Sequence, residues 1–492
     1  MAKNVKLDAK GYRKFGMRDC LAYAAGDLGC NMSFSLKGTV QTFWLVYMTM
    51  ETGLLSALLL LVQIWDAVND PIIGSMIDAD HRKYKLGKFK TYILIGAIGL
   101  TVAGAAVFLP FPNASVVVKA MLFIVGYVIW DACYTVANVP YGSMLSLVTE
   151  DAAERSSLST WRSIGSLVGN MVPMMILPML IWEKVTDANG NPVMDPETGK
   201  QVQTLLGDRV FFAALIMGVI GLLCFLFMIK TITIRVDENS VKTNDAEKFN
   251  VLQAFGNFMK NRAAIGATLA AMAMFLGMNA ASTAVTIMFA TYFGAANLSG
   301  IASAIGFLPM MIFMPFIKKI VNKFGKKEAS ATGALVSVIG GILMFVFPLI
   351  ENRSIGLVVY IVALAIFGMG MGIYTCVSWA LMADAIDYNE WKTGKREEGT
   401  VYALHSFFRK LAQGVGPSIV LLIMGALGYV AELKTEGQSP ETAYNMCWLV
   451  AGLYLFSAVV QWISLKFIYN LDKKTLETMN AELAERHAAS AE

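Results

Sequence analysis

Charged residues are scarce in this chain of 492 residues: Asp, Glu, Lys and Arg make up 15%, whereas 56% of the residues are hydrophobic. Soluble domains carry about 25% charged and about 45–50% apolar residues. The mean hydropathy is correspondingly high, at +0.56. These values exclude an ordinary soluble enzyme, a disordered chain and a nucleic-acid-binding protein, and they predict a polytopic α-helical membrane protein.

Histidine and cysteine are also infrequent, with three and six copies. His81 and His487 lie in polar segments, and the cysteines show neither metal-site nor disulfide-framework spacing. The chain has no phosphate loop of the type G-x-x-x-x-G-K-[ST]. These absences argue against an intramembrane enzyme and against ATP-driven transport, and no cofactor is expected.

Apolar stretches long enough to cross a hydrocarbon core of about 30 Å recur along the whole chain. Because the basic N-terminal segment shows no cleavable signal pattern, we expect the first stretch to be retained as a helix. The predicted spans are residues 21–48, 54–78, 90–110, 116–148, 158–182, 209–232, 262–293, 297–320, 328–350, 355–384, 399–430 and 443–470. Twelve spans make an all-α membrane protein.

Lys and Arg are concentrated in alternate loops, which places both termini in the cytoplasm by the positive-inside rule. Similar basic turns, Lys85–Lys90 and Lys323–Glu328, lie six spans apart and indicate a duplicated six-helix unit. Two independent turns that obey the same orientation rule are the alternative. The predicted organisation is an N-terminal half at 1–232, a cytoplasmic linker at 233–261, a C-terminal half at 262–470 and a cytoplasmic tail at 471–492.

The second span contains Asp66, Asn69 and Asp70, whose spacing places their side chains on one helix face near the middle of the bilayer. Two carboxylates so close together need a cation, a proton or a basic partner. Oxygen ligands favour Na⁺ or H⁺, and Thr135 of the fourth span is a further oxygen donor. A structural ion pair between two helices is the alternative.

Several basic side chains also lie inside predicted spans, where ionisable residues indicate function. Lys37 is a cation midway along the first span, and it either neutralises a carboxylate of the second span or binds an anionic substrate. The fifth span carries Arg162 near its cytoplasmic end, where snorkelling to the membrane surface or an ion pair is the alternative. The eleventh span carries Arg409 and Lys410.

The motifs Trp65–Gly74, Tyr134–Tyr141 and Ala383–Gly394, with the Arg409-Lys410 pair, resemble the glycoside–pentoside–hexuronide:cation symporter family. This family is a branch of the major facilitator superfamily, so the resemblance implies a major facilitator fold with two six-helix halves. It implies a Na⁺ or H⁺ site at the positions Asp66, Asn69, Asp70 and Thr135, and substrate-binding roles for Arg162 and Lys410.

Two departures from the galactoside carriers of this family bear on the substrate. Asn31 and Asn138 stand where those carriers have sugar-binding aspartates, so the pocket is less negative. With Lys37 and Arg409 added to the substrate-binding set, a hexuronide or glucuronide is favoured. Neutral pentosides, xylosides and galactosides stay open as substrates, as do a non-transporting sugar sensor and a lipid carrier on the same fold.

The resemblance implies a monomeric symporter of the inner membrane that imports a glycoside with a monovalent cation, by alternating access of a site near the bilayer midplane. Loop charges are predicted to close the inner gate through ion pairs, although plain solvated charges are the alternative. These gating residues are Asp78, Arg82, Glu154, Arg155, Asp384, Asp387 and Glu390.

Overall fold

The computed structural model describes residues 12–80, 82–149, 151–194, 196, 199, 201–236, 251–394 and 398–491. It is mostly helical and divides into two compact units. The first unit comprises Met1–Glu183 with Thr204–Asp245, and the second comprises Lys184–Gln203 with Ala246–Glu492. Residues 237–250 of the predicted linker lie outside the described residues.

The first unit is built from seven described helices and one turn of π-helix at Phe43–Tyr47. Helices α5 and α6 begin where Ser115 and Asp151 cap them, since each side-chain oxygen accepts a backbone N–H of the first turn. The helices are α1 Met17–Phe34, α2 Leu36–Thr42, α3 Thr52–Ala79, α4 Lys88–Ala106, α5 Val116–Val148, α6 Ala152–Ile181 and α7 Gly207–Thr231.

The second unit contains nine described helices, with π-helical turns at Leu276–Ala280 and Ser464–Ile468. Asn261 and Ser439 cap helices α9 and α15. The helices are α8 Val251–Lys260, α9 Arg262–Phe275, α10 Ala281–Thr291, α11 Ser299–Phe324, α12 Lys326–Leu343, α13 Arg353–Thr393, α14 Glu398–Ala426, α15 Pro440–Ile463 and α16 Lys473–Ala491.

The segment between α6 and α7 forms a small two-stranded sheet. Strand β1, Trp182–Lys184, pairs with strand β2, Gln203–Leu205. Isolated bridges join Thr186 to Pro192 and Met194 to Gln201. The sequence predicts a turn-rich external loop at this place, and the described part of the loop has this short extended hairpin in addition to its turns.

Among the described residues, ten helical segments are long and apolar enough to cross a membrane. Two predicted spans fall outside this set. Span 21–48 is divided between α1, α2 and the π-helical turn, and polar residues such as Asp27 and Lys37 interrupt its apolar character. In span 297–320 only the segment Ala296–Met310 counts as a shorter apolar helix.

The two basic turns predicted as a repeat share one backbone geometry. Gly87 precedes α4 with φ 86° and ψ 156°, and Gly325 precedes α12 with φ 86° and ψ 160°. A side chain is disfavoured at positive φ, so glycine is the residue that suits both turns. The two stretches are therefore alike in structure as well as in sequence.

Close helix contacts position the interior charges of the first unit. Helix α1 packs against α6 and α7, while α5 packs against α3 and α4. A Cβ atom added at Gly165 would overlap the Ala24 carbonyl oxygen, and one at Gly169 would lie 2.8 Å from the Asn31 Cβ. Glycines four residues apart thus let α6 approach α1 backbone to backbone, which brings Arg162 on α6 to Asp27 on α1.

Candidate functional site

A hydrogen-bonded network joins α3 to α5 inside the first unit. The Asn69 Nδ2 donates to Thr135 Oγ1 at 2.8 Å and lies 3.4 Å from Asp131 Oδ2. The Thr135 hydroxyl in turn donates to Asp70 Oδ1 at 2.8 Å. We call Asn69, Asp70, Asp131 and Thr135 the carboxylate–amide cluster. It unites three of the four predicted cation ligands, because residues 69 and 70 lie on the face of α3 that packs on α5.

One acceptor oxygen of the carboxylate–amide cluster receives no hydrogen bond from the described residues. Asn69 is 1% exposed, and its Oδ1 atom has no hydrogen-bond donor among the described residues. A buried polar atom without a partner is costly, so this oxygen suits a cation or another donor. The donor set is composed of carboxylate, amide and hydroxyl oxygens, which are the ligands that Na⁺ prefers.

Asp66, the fourth predicted cation ligand, stands apart from this network. It is partly exposed, and none of the described hydrogen bonds connects it to Asn69, Asp70 or Thr135. Its charge does act on Lys37. Asp66 precedes Asn69 by three residues on α3, which places the two side chains about 60° apart around the helix axis.

Lys37 on α2 lies beside the carboxylate–amide cluster. Its Nζ atom is 3.8 Å from Asp131 Oδ1, and the Asp131 side chain is 1% exposed. The ammonium also lies over the Phe34 ring, 5.0 Å from its centre. Of the two roles that the sequence leaves open for Lys37, the structure shows the contact with a buried carboxylate. That carboxylate belongs to Asp131 of α5 and not to the second span.

A second polar cluster in the first unit surrounds Arg162. The Arg162 Nε donates to Asp27 Oδ1 at 3.0 Å, and its guanidinium lies 5.2 Å from the centre of the Tyr141 ring. Asn31 Nδ2 donates to Asp27 Oδ2 at 3.0 Å, and Asn170 Nδ2 donates to Asn31 Oδ1 at 2.6 Å. These residues form a polar strip of donors and acceptors of the kind that binds sugar hydroxyls.

Sequence reasoning left Asp27 and Asn170 out of the candidate site. Asp27 precedes Asn31 by one helical turn and Asn170 follows Arg162 by two turns, and this periodicity is the signal that could have found both. Asn138, which was predicted to bind substrate, lies near this strip, with its Oδ1 3.8 Å from Cys30 Sγ.

The second unit contains an interior arginine for which the described residues provide no acidic partner. Arg409 on α14 is partly buried, lying 4.9 Å from the centre of the Trp379 ring and 5.6 Å from that of Phe275. Its Nε atom is buried without an acceptor, and no carboxylate of the described residues forms an ion pair with it. Lys410 follows it on α14 and is also partly buried. Nearby, Thr268 Oγ1 and His405 Nδ1 share a 2.9 Å hydrogen bond.

Side-chain contacts are described for three of the seven predicted gating residues, Asp384, Glu154 and Arg155. Lys326 Nζ lies 2.7 Å from both carboxylate oxygens of Asp384, which joins α12 to α13. Glu154 accepts a hydrogen bond from Thr149 Oγ1, and Arg155 Nε donates to the Thr149 carbonyl at 2.9 Å. The remaining gating residues are Arg82, which is exposed, Asp387 and Glu390, which lie on α13, and Asp78, whose side chain lies outside the described residues.

In the turn that follows α3, the carboxylate of Asp80 accepts several hydrogen bonds. The hydroxyls of Tyr84 and Tyr92 donate to Asp80 Oδ2, and the Arg82 backbone N–H donates to Oδ1 at 2.9 Å. These hydrogen bonds, above all that from Tyr84, favour the ionised carboxylate and lower the pKa of Asp80 well below its usual value.

We therefore expect the Asp80→Asn variant to unfold at a lower temperature than the native protein at neutral pH. Because the folded-state pKa is depressed, this stabilisation is fully present above the unfolded-state pKa of about 4 and is lost as the pH falls through the folded-state value. The difference in unfolding temperature between the native and the variant protein is measured on detergent-solubilised samples from neutral to acidic pH. A difference in unfolding temperature between the two proteins that is the same at every pH would contradict the prediction.

Long apolar helices with paired charges in their interior are typical of membrane transporters. The chain belongs to the MFS/sugar transport protein family, whose model matches residues 22–473. This match, with the relatives described next, confirms the resemblance recognised in the sequence motifs. The chain is thus a multi-pass membrane protein and a transporter, not an enzyme.

Curated relatives span almost the full chain. The uncharacterized symporter YjmB of Bacillus subtilis is 28% identical over 98% of this chain and 97% of its own length. The glucuronide carrier protein homolog of Escherichia coli is 26% identical over 96% of this chain and 97% of its own length. Among solved structures, a D-xylose-proton symporter superposes with a TM-score of 0.59 at 16% identity, covering 92% of this chain and 97% of that one. That likeness shows a major facilitator fold.

Proposed function

We propose that this protein is a cation-coupled symporter that imports a glycoside carrying an acidic group, with a hexuronide as the favoured substrate. The observation that carries the substrate class is Arg409. Placing a guanidinium away from bulk water without a counter-ion is unfavourable, and a substrate carboxylate supplies the missing negative charge through paired hydrogen bonds. The glucuronide carrier homolog among the relatives agrees with this class.

The coupling ion, Na⁺ or H⁺, is assigned to the carboxylate–amide cluster. Buried carboxylates that change their ion occupancy during transport link sugar binding to cation binding, and each ligand then raises the affinity for the other. The name of the Bacillus subtilis relative, a symporter, supports coupled transport. In this proposal the polar strip of Asp27, Asn31, Arg162 and Asn170 holds sugar hydroxyls, and Lys410 assists Arg409.

A neutral pentoside or galactoside is the second candidate, because the polar strip is suited to hydroxyl groups. There the Arg162 charge is already matched by Asp27 at 3.0 Å, so this strip by itself does not require an acidic ligand. Arg409 distinguishes an acidic from a neutral substrate, since a neutral sugar supplies no negative charge to the Arg409 guanidinium.

We expect the Arg409→Gln variant to lose affinity for a glucuronide by about 10- to 100-fold, which corresponds to the loss of one charge-assisted hydrogen-bonded pair. Counterflow in proteoliposomes with labelled glucuronide, xyloside and galactoside, with and without a Na⁺ gradient, measures this loss. Arg353→Gln is the matched control, because Arg353 lies over the Tyr292 ring and donates to the Tyr292 carbonyl at 3.0 Å. Uptake of a neutral sugar alone by the native protein would refute the acidic substrate.

A further inference from the structure

The contact between Lys37 and Asp131 differs from the other interior ion pairs of the first unit. A hydrogen-bonded ammonium–carboxylate pair has an N···O distance of about 2.7–2.9 Å, whereas Lys37 Nζ stands 3.8 Å from Asp131 Oδ1. Lys37 therefore supplies positive charge to this carboxylate without a hydrogen bond that would fix it in place.

The surroundings of Lys37 leave its ammonium held loosely. The Phe34 and Tyr134 rings lie 5.0 and 6.0 Å from Nζ, within the range of cation–π attraction. The side chain is 26% exposed, and Asp66 also attracts it. A long, flexible side chain with no fixed hydrogen bond to Asp131 can approach this carboxylate and leave it, as a bound monovalent cation does.

Lys37 and the free Asn69 oxygen belong to one electrostatic system. Asn69 Nδ2 lies 3.4 Å from Asp131 Oδ2 and donates to Thr135, which donates to Asp70. Asn69 thus connects Asp131, the carboxylate beside Lys37, to the oxygens of Thr135 and Asp70, which suit a metal cation. Two positive charges within such a cluster repel each other strongly in an environment that excludes most water.

We propose that Lys37 is a tethered counter-ion that takes the electrostatic place of the coupling cation, so that the native protein binds Na⁺ weakly and removal of the ammonium creates a tight Na⁺ site. The inference rests on the proposed coupling at the carboxylate–amide cluster and adds that this cluster accepts Na⁺ only weakly while the Lys37 ammonium is present. It also decides between the two roles that the sequence leaves open for Lys37, since a substrate-binding lysine would not govern Na⁺ affinity.

The test is equilibrium Na⁺ binding to the purified full-length protein in lipid nanodiscs, without sugar, with choline replacing Na⁺ at constant ionic strength. Isothermal titration calorimetry gives the affinity, and the Na⁺-dependent rise of the unfolding temperature gives an independent readout. We expect Lys37→Gln to bind Na⁺ at least about tenfold more tightly than the native protein. Lys37→Arg, which keeps the charge, is expected to bind Na⁺ as weakly as the native protein.

Lys119→Gln is the matched control. Lys119 is a second buried lysine of the same unit, but its Nζ donates to the Met48 carbonyl at 2.6 Å. The same substitution there removes an interior ammonium without touching the cluster, so its Na⁺ affinity is expected to equal that of the native protein. Equal Na⁺ affinity of native, Lys37→Gln and Lys119→Gln proteins would overturn the inference, as would a gain shared by both variants.

Further variants keep the inference apart from the proposed function. If Lys37→Gln folds poorly because the Asp131 carboxylate loses the positive charge of Lys37, we expect Na⁺ but not choline to restore the folded yield, and equally poor yields in both salts would overturn the inference. Adding Asp70→Asn to Lys37→Gln is expected to abolish the new Na⁺ binding. If Asp70→Asn alone stops coupled transport while Lys37→Gln leaves Na⁺ affinity unchanged, the proposed coupling site survives and only the role of Lys37 fails.

Discussion

Asp70→Asn is expected to abolish uphill accumulation of the sugar, so that the internal concentration rises to about the external one and no further. Asp70 accepts the Thr135 hydroxyl at 2.8 Å and thereby belongs to the only network among the described residues that joins predicted cation ligands across two helices. The neutral amide keeps the shape of the side chain but cannot supply the charge that attracts the coupling cation. Binding of the sugar is then no longer linked to binding of the cation.

Two measurements of transport make this prediction specific. Accumulation against a gradient is expected to disappear, whereas counterflow, which needs no coupling, is expected to stay measurable. Ser75→Ala is a suitable control, since Ser75 lies on the same helix, is exposed and donates a hydrogen bond to the Ile72 carbonyl of its own turn.

Asp66→Asn is also expected to abolish accumulation. Unchanged accumulation in both the Asp66 and the Asp70 variants would show that the coupling site lies elsewhere.

Arg162→Met is expected to reduce both stability and sugar binding. The Asp27 side chain is only 7% exposed, and removal of its partner leaves a buried carboxylate without a counter-ion. Breaking a fully buried pair costs about 3–5 kcal/mol. Arg162 is 38% exposed, so solvent weakens the pair, and about 1–3 kcal/mol is the expected loss of unfolding free energy.

The double variant Asp27→Asn/Arg162→Gln separates the two effects of this pair. It removes both charges, so most of the stability is expected to return, while sugar affinity stays low because the charged donor is gone. Unfolding temperatures in detergent and sugar binding by calorimetry measure the two quantities. If the double variant were as unstable as Arg162→Met, the pair would not account for the loss.

The sequence was most informative where a single helix carries the pattern. The spacing of Asn69 and Asp70 placed both on one face of α3, and Thr135 was expected as their partner on α5. Asp66 was expected on the same face, but the orientation of α3 against α5 leaves it outside the hydrogen-bonded network. A spacing of three residues differs from a full turn by about 60°, which is enough to separate neighbours when the site is narrow.

Contacts between helices were harder to predict. The partner of Lys37 is Asp131 of α5, which is not among the predicted site residues, because the partner depends on how α2 and α5 are aligned along their lengths. The pairing of Asp27 with Arg162 was likewise not predicted, since the two residues lie on different helices and are 135 positions apart in the sequence. The ten qualifying apolar segments, by contrast, follow directly from hydropathy.

The glycine contacts between α1 and α6 restrict where this protein can deform. Two helices whose main chains touch at points one turn apart resist sliding, because any displacement brings atoms into collision or opens an empty gap. The polar strip that spans these two helices is therefore expected to move as one rigid body. Bending during a transport cycle must then be absorbed by other segments, and the π-helical turn at Phe43–Tyr47, where regular hydrogen bonding changes, is a natural hinge.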